Sequence, residues 1–181
     1  MTLTQGQATP WRGGGRSAGA ARGGAGRSKL SPLALLDLLQ DYVAETADRL
    51  PAPPPGLSGR SYELLELTDD LEIWAIHWPR DHGLELHDHG GSVGALWVVR
   101  GSLDEHYVTG QRSLARRSLV AGGGAAFGPA YVHDVVNAHD APATSVHAYS
   151  PPMASMTFYR QAGRALLVDR AEYRADPAWA P

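Results

Sequence analysis

The chain has no cysteine. That excludes disulfides, thiolate metal ligands and a cysteine nucleophile, and it fits a reducing cytoplasm, the expected location. Lysine occurs once, at Lys29, so arginine supplies the other positive charges. No apolar run approaches the roughly 20 residues that span a bilayer, and no membrane partner is expected. The start carries no apolar h-region, so a secretory signal is not expected either. With a formal net charge of −3 and a pI near 6.2, the whole chain does not attract nucleic acid. Acids are missing from residues 1–29, which are rich in Gly, Ala, Ser and Arg and hold one aromatic, Trp11. Such a composition buries too little apolar surface to offset the entropy of ordering. It predicts a disordered tail over 1–29. An Arg-rich, acid-poor start also has the look of an organelle transit peptide, but its glycines make a poor amphipathic helix.

What remains, 30–181, suits one domain with a real core. Ser31-Pro32 has the form of an N-cap followed by proline at the first helical position. Leu33, Leu36, Leu39 and Val43 then recur at helical spacing, which predicts a helix from Pro32 to about Arg49. Pro51, Pro53, Pro54, Pro55 and Gly56 end it. From there the pattern is of short strands separated by turn residues: Ser61–Leu67, Leu71–Trp78, Leu84–His89, Gly94–Arg100, Leu103–Val108, Ser113–Val120, Ala125–Phe127, His133–Asn137, Thr144–Ser150, Met156–Arg160 and Ala165–Asp169. Many short strands at even spacing predict a mainly β sandwich or small barrel, whose interior can hold one small ligand.

Within the third strand stands His87-Asp88-His89. Side chains at i and i+2 of a strand share a face, so the two imidazoles converge and Asp88 turns away. Two neutral imidazoles on one face are half of a first-row metal site. A third ligand must come from a distant strand, and His77, His82, His106, His133, His139 and His147 are the remaining histidines. His133 stands out, because Gly128-Pro129 precedes it and Asn137 follows after three residues. That is the second half-motif of the cupin barrels. The first is His-x-His, an acid, then a glycine. Here His87, His89 and Gly101 fit it, while Gly94 stands in place of the acid. Ser145, His147 and Tyr149 alternate, so they share one face of another strand. Taken alone, Tyr149 reads as a buried tyrosine with a satisfied hydroxyl.

The ordered set His87-Asp88-His89-Gly90-Gly91-Ser92, Phe127-Gly128-Pro129, His133-Asp134-Val135-Val136-Asn137 and Ser145 to Pro152 (Ser-Val-His-Ala-Tyr-Ser-Pro-Pro) resembles the cysteine dioxygenase-like thiol dioxygenases. The resemblance covers about Tyr62 to Tyr159 and is of the bacterial type. It implies a jelly-roll-like cupin barrel with an N-terminal α-helix. It implies Fe(II) held by His87, His89 and His133, and a relay of Ser145, His147 and Tyr149 beside the bound oxygen and substrate. The implied reaction adds both atoms of O2 to a small thiol such as cysteine, giving a sulfinic acid. A monomer is the expected state. Spacing alone does not choose among iron, zinc and nickel, since imidazole serves all three.

Two departures from that family matter. Animal members carry a cysteine, crosslinked to the tyrosine, where this chain has Gly94, although bacterial relatives also have glycine there. Leu64 stands where the family places the arginine that holds the substrate carboxylate. Leucine cannot imitate the two parallel hydrogen bonds of a guanidinium. Arg60 and Arg160 are the candidate replacements. Failing both, the expected substrate is a thiol without a carboxylate, such as cysteamine. Within the enzyme reading 3-mercaptopropionate or another small thiol is the alternative to cysteine, and outside it the chain is a metal-binding cupin that senses a ligand without turnover.

Overall fold

A computed structural model describes residues 30–110, 113–163, 165–175 and 181. The expected tail, 1–29, lies outside them. Helix α1 spans Pro32–Thr46 and continues as a 3-10 turn over Ala47–Arg49. Ser31 Oγ accepts the Ala34 N–H at 3.2 Å, capping the helix as the sequence suggests. Its buried stripe is Leu35, Leu39 and Val43, not one that includes Leu33, which is 70% exposed. The i, i+4, i+8 row faces the sheet, and Leu33 falls on the far side of the helix from it. Burying each of the three apolar side chains stabilises the fold by roughly 1.5–3 kcal/mol.

The strands are β1 Ser61–Leu67, β2 Glu72–Trp78, β3 His82–His87, β4 Val93–Arg100, β5 Ser102–Val108, β6 Leu114–Val120, β7 Gly124–Phe127, β8 His133–Asn137, β9 Ala143–Ser150, β10 Ser155–Ala162 and β11 Ala165–Tyr173. They form two antiparallel sheets, ordered β1-β2-β9-β4-β7 and β11-β10-β3-β8-β5-β6. The mainly β cupin-like sandwich expected from the sequence is present, with one helix at its N-terminal side. Trp74, Ile76, Trp78, Leu96, Leu103 and Phe158 belong to the core between the sheets. α1 covers the outer face of the five-stranded sheet, seating Leu35 and Leu39 with Ile73, Ala95 and Val146. Both faces of that sheet are therefore covered, and all eight residues of β9 are buried. The β9 face turned inward is buried, which suits a hydrogen-bonded row.

One strand boundary differs where it matters. β3 ends at His87, so His89 is not in the ladder. The β3–β8 register shifts between Leu84 and His87. Asp88 then binds elsewhere: its N–H donates to Thr157 O at 2.9 Å, and its carboxylate accepts the N–H of Gly90 at 3.0 Å and of Thr157 at 3.2 Å. Tyr159 donates its hydroxyl to the same carboxylate at 2.7 Å. Asp88 thus ties the His-x-His corner to β10. Gly90 follows at φ 58°, where a Cβ would stand 2.6 Å from Ser155 O. Only glycine allows this turn so close to β10.

Candidate metal centre

His87 ends β3 and His133 opens β8, and the two are directly paired across the ladder. Their ring centroids lie 4.8 Å apart. His89 comes within 5.0 Å of both. One nitrogen from each of the three lies within 4.8 Å of the others. All three are almost wholly buried. The hydrogen bonds fix which nitrogens face inward. His87 Nδ1 lies 2.7 Å from the carbonyl of Glu85, and a carbonyl only accepts, so Nδ1 carries the proton. His133 Nδ1 lies 2.7 Å from Glu105 Oε1 and donates likewise. Both Nε2 lone pairs are then free. His133 Nε2 and His89 Nε2 stand 3.2 Å apart.

Burial lowers the pKa of His87 to about 4, reinforced by the charge of Arg60. Burial, then the neighbouring imidazoles, push His89 and His133 well below their ordinary range. All three are neutral at pH 7, as metal ligation requires. Three neutral, converging, buried nitrogens fit one first-row divalent ion. His77, His82, His106 and His139 lie outside this group. His77 bonds Thr144, His82 the carbonyl of Arg80, His106 the Asp134 carboxylate, and His139 lies 3.7 Å from Asp104.

The alternating row of β9 faces the same interior. Trp78 Nε1 donates to Ser145 Oγ at 2.8 Å. Ser145 Oγ is 2.8 Å from His147 Nε2, and His147 Nδ1 is 3.3 Å from Tyr149 Oη. The first bond has a fixed direction, because the Trp78 indole can only donate. Ser145 accepts it, which leaves its own hydroxyl proton available to Nε2; in that arrangement His147 carries its proton on Nδ1 and donates to Tyr149. The phenol proton is left to donate elsewhere. Burial lowers His147 to about 3 and pushes the Tyr149 phenol up, so both are neutral at pH 7. The Tyr149 ring lies 5.2 Å from His89 and faces Gly94 across the ladder.

The two candidate arginines differ in place. Arg60, just before β1, is partly buried with its guanidinium 5.3 Å from the Trp78 ring. It donates to the carbonyl of Pro181 at 3.1 Å. Its charge acts on His87, His147 and Tyr149 alike. Leu64 packs against the inner core, opposite Trp74. Arg160 is exposed: β10 meets β3 at Phe158 opposite His87, and Arg160–Ala162 lie on the exposed end of the β10–β11 ribbon.

Two side chains of this centre escape a sequence reading. Trp78 looks like ordinary core. Glu105 is fully buried and contacts His133, Tyr131 and Arg117. Its one signal is an acid at the inward-facing position between Leu103 and Tyr107.

Solved structures show the same architecture at low identity. One is an uncharacterized conserved protein with a double-stranded beta-helix domain from Klebsiella pneumoniae, at TM-score 0.51 and 21% identity, matched over 63% of this chain and 94% of that one. Another is oxalate oxidase in complex with glycolate, at TM-score 0.51 and 15% identity, over 60% and 59% of the two chains. These likenesses concern the fold. The family model for cysteine dioxygenase type I matches residues 58–162, which takes in the three histidines and the β9 row. The chain therefore belongs to the cysteine dioxygenase type I family.

Proposed function

We propose that the protein is an Fe(II)-dependent thiol dioxygenase that converts a small thiol such as cysteine to its sulfinic acid. The observation that carries this reading is the meeting, in one buried interior, of three neutral histidines with the hydrogen-bonded row of Ser145, His147 and Tyr149. RSH + O2 → RSO2H balances in atoms and electrons with no further reductant. When bound, ferrous iron would supply the site at which thiolate sulfur and O2 are brought together.

His87, His89 and His133 hold that ion without adding charge, so an anionic thiolate is the favoured further ligand. Burial excludes bulk water, which strengthens every hydrogen bond aimed at developing charge. Tyr149, kept neutral by its burial, donates to oxygen on the substrate side. His147 and Ser145 hold the phenol in one orientation. Arg60 holds the substrate carboxylate in place of the arginine that Leu64 displaces. Its guanidinium donates to the main-chain oxygen of Pro181, a bond that a substrate carboxylate would replace or share, and its field already acts on Tyr149 and His87. This supports a carboxylated thiol, either cysteine or 3-mercaptopropionate. Oxygen uptake by iron-loaded protein with cysteine, 3-mercaptopropionate and cysteamine tests the reading. Uptake with a carboxylated thiol is expected, and no uptake with any of the three would contradict it.

A further inference from the structure

The three histidines are not equally supported. His87 turns its Nδ1 to a neutral backbone carbonyl. His89 Nδ1 is buried with no hydrogen-bond partner among the described residues. His133 alone has an anionic partner, Glu105, at 2.7 Å. Glu105 is 0% exposed, and two other contacts fix where it stands. Tyr131 donates its hydroxyl to Oε1 at 3.0 Å. Arg117 Nε donates to Oε2 and reaches the Tyr131 oxygen at 3.3 Å. Arg117 in turn stacks over Tyr107, 5.1 Å from its ring. Phe127 is stacked between Tyr131, 5.2 Å away, and His89, 4.6 Å away. The carboxylate is thus clamped from outside while one oxygen is held against the imidazole.

We propose that Glu105 is a positioning residue for the metal, holding His133 in the Nδ1–H form with Nε2 inward and lending negative charge to a donor set that has none. A carboxylate behind a ligating imidazole fixes the ring's tautomer and orientation and raises its basicity. Here it also offsets the absence of an acid at Gly94, at one remove from the ion. The charge enters through one ligand only, so His133 is the strongest donor of the three. This inference rests on the three-histidine reading of the site. The rival role is an internal ion pair with Arg117 that serves the fold alone.

The test uses the full chain, with Glu105→Gln and Glu105→Ala, and two readouts. The first is the tautomer of His133 by 15N NMR of the metal-free protein. Wild type is expected as Nδ1–H, with that preference lost in Glu105→Ala. The second is the dissociation constant for Co(II) and Fe(II) by chelator competition, with metal-free melting temperature as the folding control. Glu105→Gln keeps an acceptor of the same shape without the charge. It is expected to melt near wild type and to bind metal about 10–100-fold more weakly. Unchanged affinity in Glu105→Gln, or an Nε2–H tautomer at His133 in wild type, overturns the proposal. Should wild type bind neither metal, the three-histidine reading fails, and Glu105's charge-lending role with it.

Discussion

Gly94 and Phe127 form a complementary pair that the metal centre depends on, and their coupling is measurable. Gly94 lies opposite both Tyr149 and Phe127 on the neighbouring strands. A Cβ there would stand 2.0 Å from Phe127 Cε2 and 2.3 Å from Cζ. Carbon atoms rest about 3.5–4.0 Å apart, so Gly94→Ala forces the ring back by about 1.5 Å. The ring has little room, being 2% exposed and stacked on His89 at 4.6 Å and on Tyr131 at 5.2 Å. Overpacking of this kind costs about 1–3 kcal/mol. Replacing glycine inside a strand returns up to about 1 kcal/mol. A net loss of about 1–2 kcal/mol is expected, and for a domain of this size each kcal/mol lowers Tm by about 2–4 °C. The assay is urea unfolding of the metal-free protein in a double-mutant cycle with Phe127→Ala. Once the ring is gone, Gly94→Ala should be neutral or stabilising. An equal loss in both backgrounds, or none in either, would refute the reasoning. Gly94→Cys, which restores the animal-type residue, meets the same ring.

Other consequences follow from the same geometry. Arg60→Ala should raise KM for cysteine and 3-mercaptopropionate while sparing cysteamine, and Arg160→Ala should change none of these; steady-state oxygen uptake decides, and the opposite pattern would transfer the role. Tyr149→Phe should keep its metal, because phenol is not among the ligands, and lose about 10²-fold in kcat, the scale for one positioned donor; wild-type turnover would return Tyr149 to plain core. His133→Ala should lose most bound metal by elemental analysis, and retained stoichiometry would show a different third ligand. His87 and His147 are buried with pKa values near 4 and 3, against about 6.5 in an unfolded chain. The unfolded state therefore takes up protons first, so the metal-free protein should lose stability as pH falls below about 6.5, by up to about 1.4 kcal/mol per pH unit for each group. Equal urea midpoints at pH 7.5 and 5.5 would contradict that.

Much of the centre is legible in the sequence, because its parts lie on regular strands. The alternation of Ser145, His147 and Tyr149 survives intact, since β9 is buried on both faces and has no bulge among its pairings with β2. His87 and His133 can be found from their own motifs, and the ladder then pairs them. The end of β3 is less legible. Alternation puts His87 and His89 on one face only if the strand runs through His89, whereas the ladder stops at His87. The rings converge all the same, because Asp88 anchors the corner to β10 and two glycines, Gly90 at φ 58° and Gly91 at φ 89°, turn the chain. Nor does local pattern separate Arg60 from Arg160. Both flank strands, and the difference arises only when the segment before β1 lies against Trp78 while the end of β10 leaves the barrel. Glu105 and Trp78 are legible only in three dimensions, since each matters through a partner 28 or 67 residues away.

The most direct test of the central claim is the mass of the product formed by iron-loaded protein from cysteine or 3-mercaptopropionate under 18O2. The account predicts a sulfinic acid carrying both labelled oxygen atoms. A disulfide as the sole product, or a sulfinic acid with one labelled atom, would contradict it.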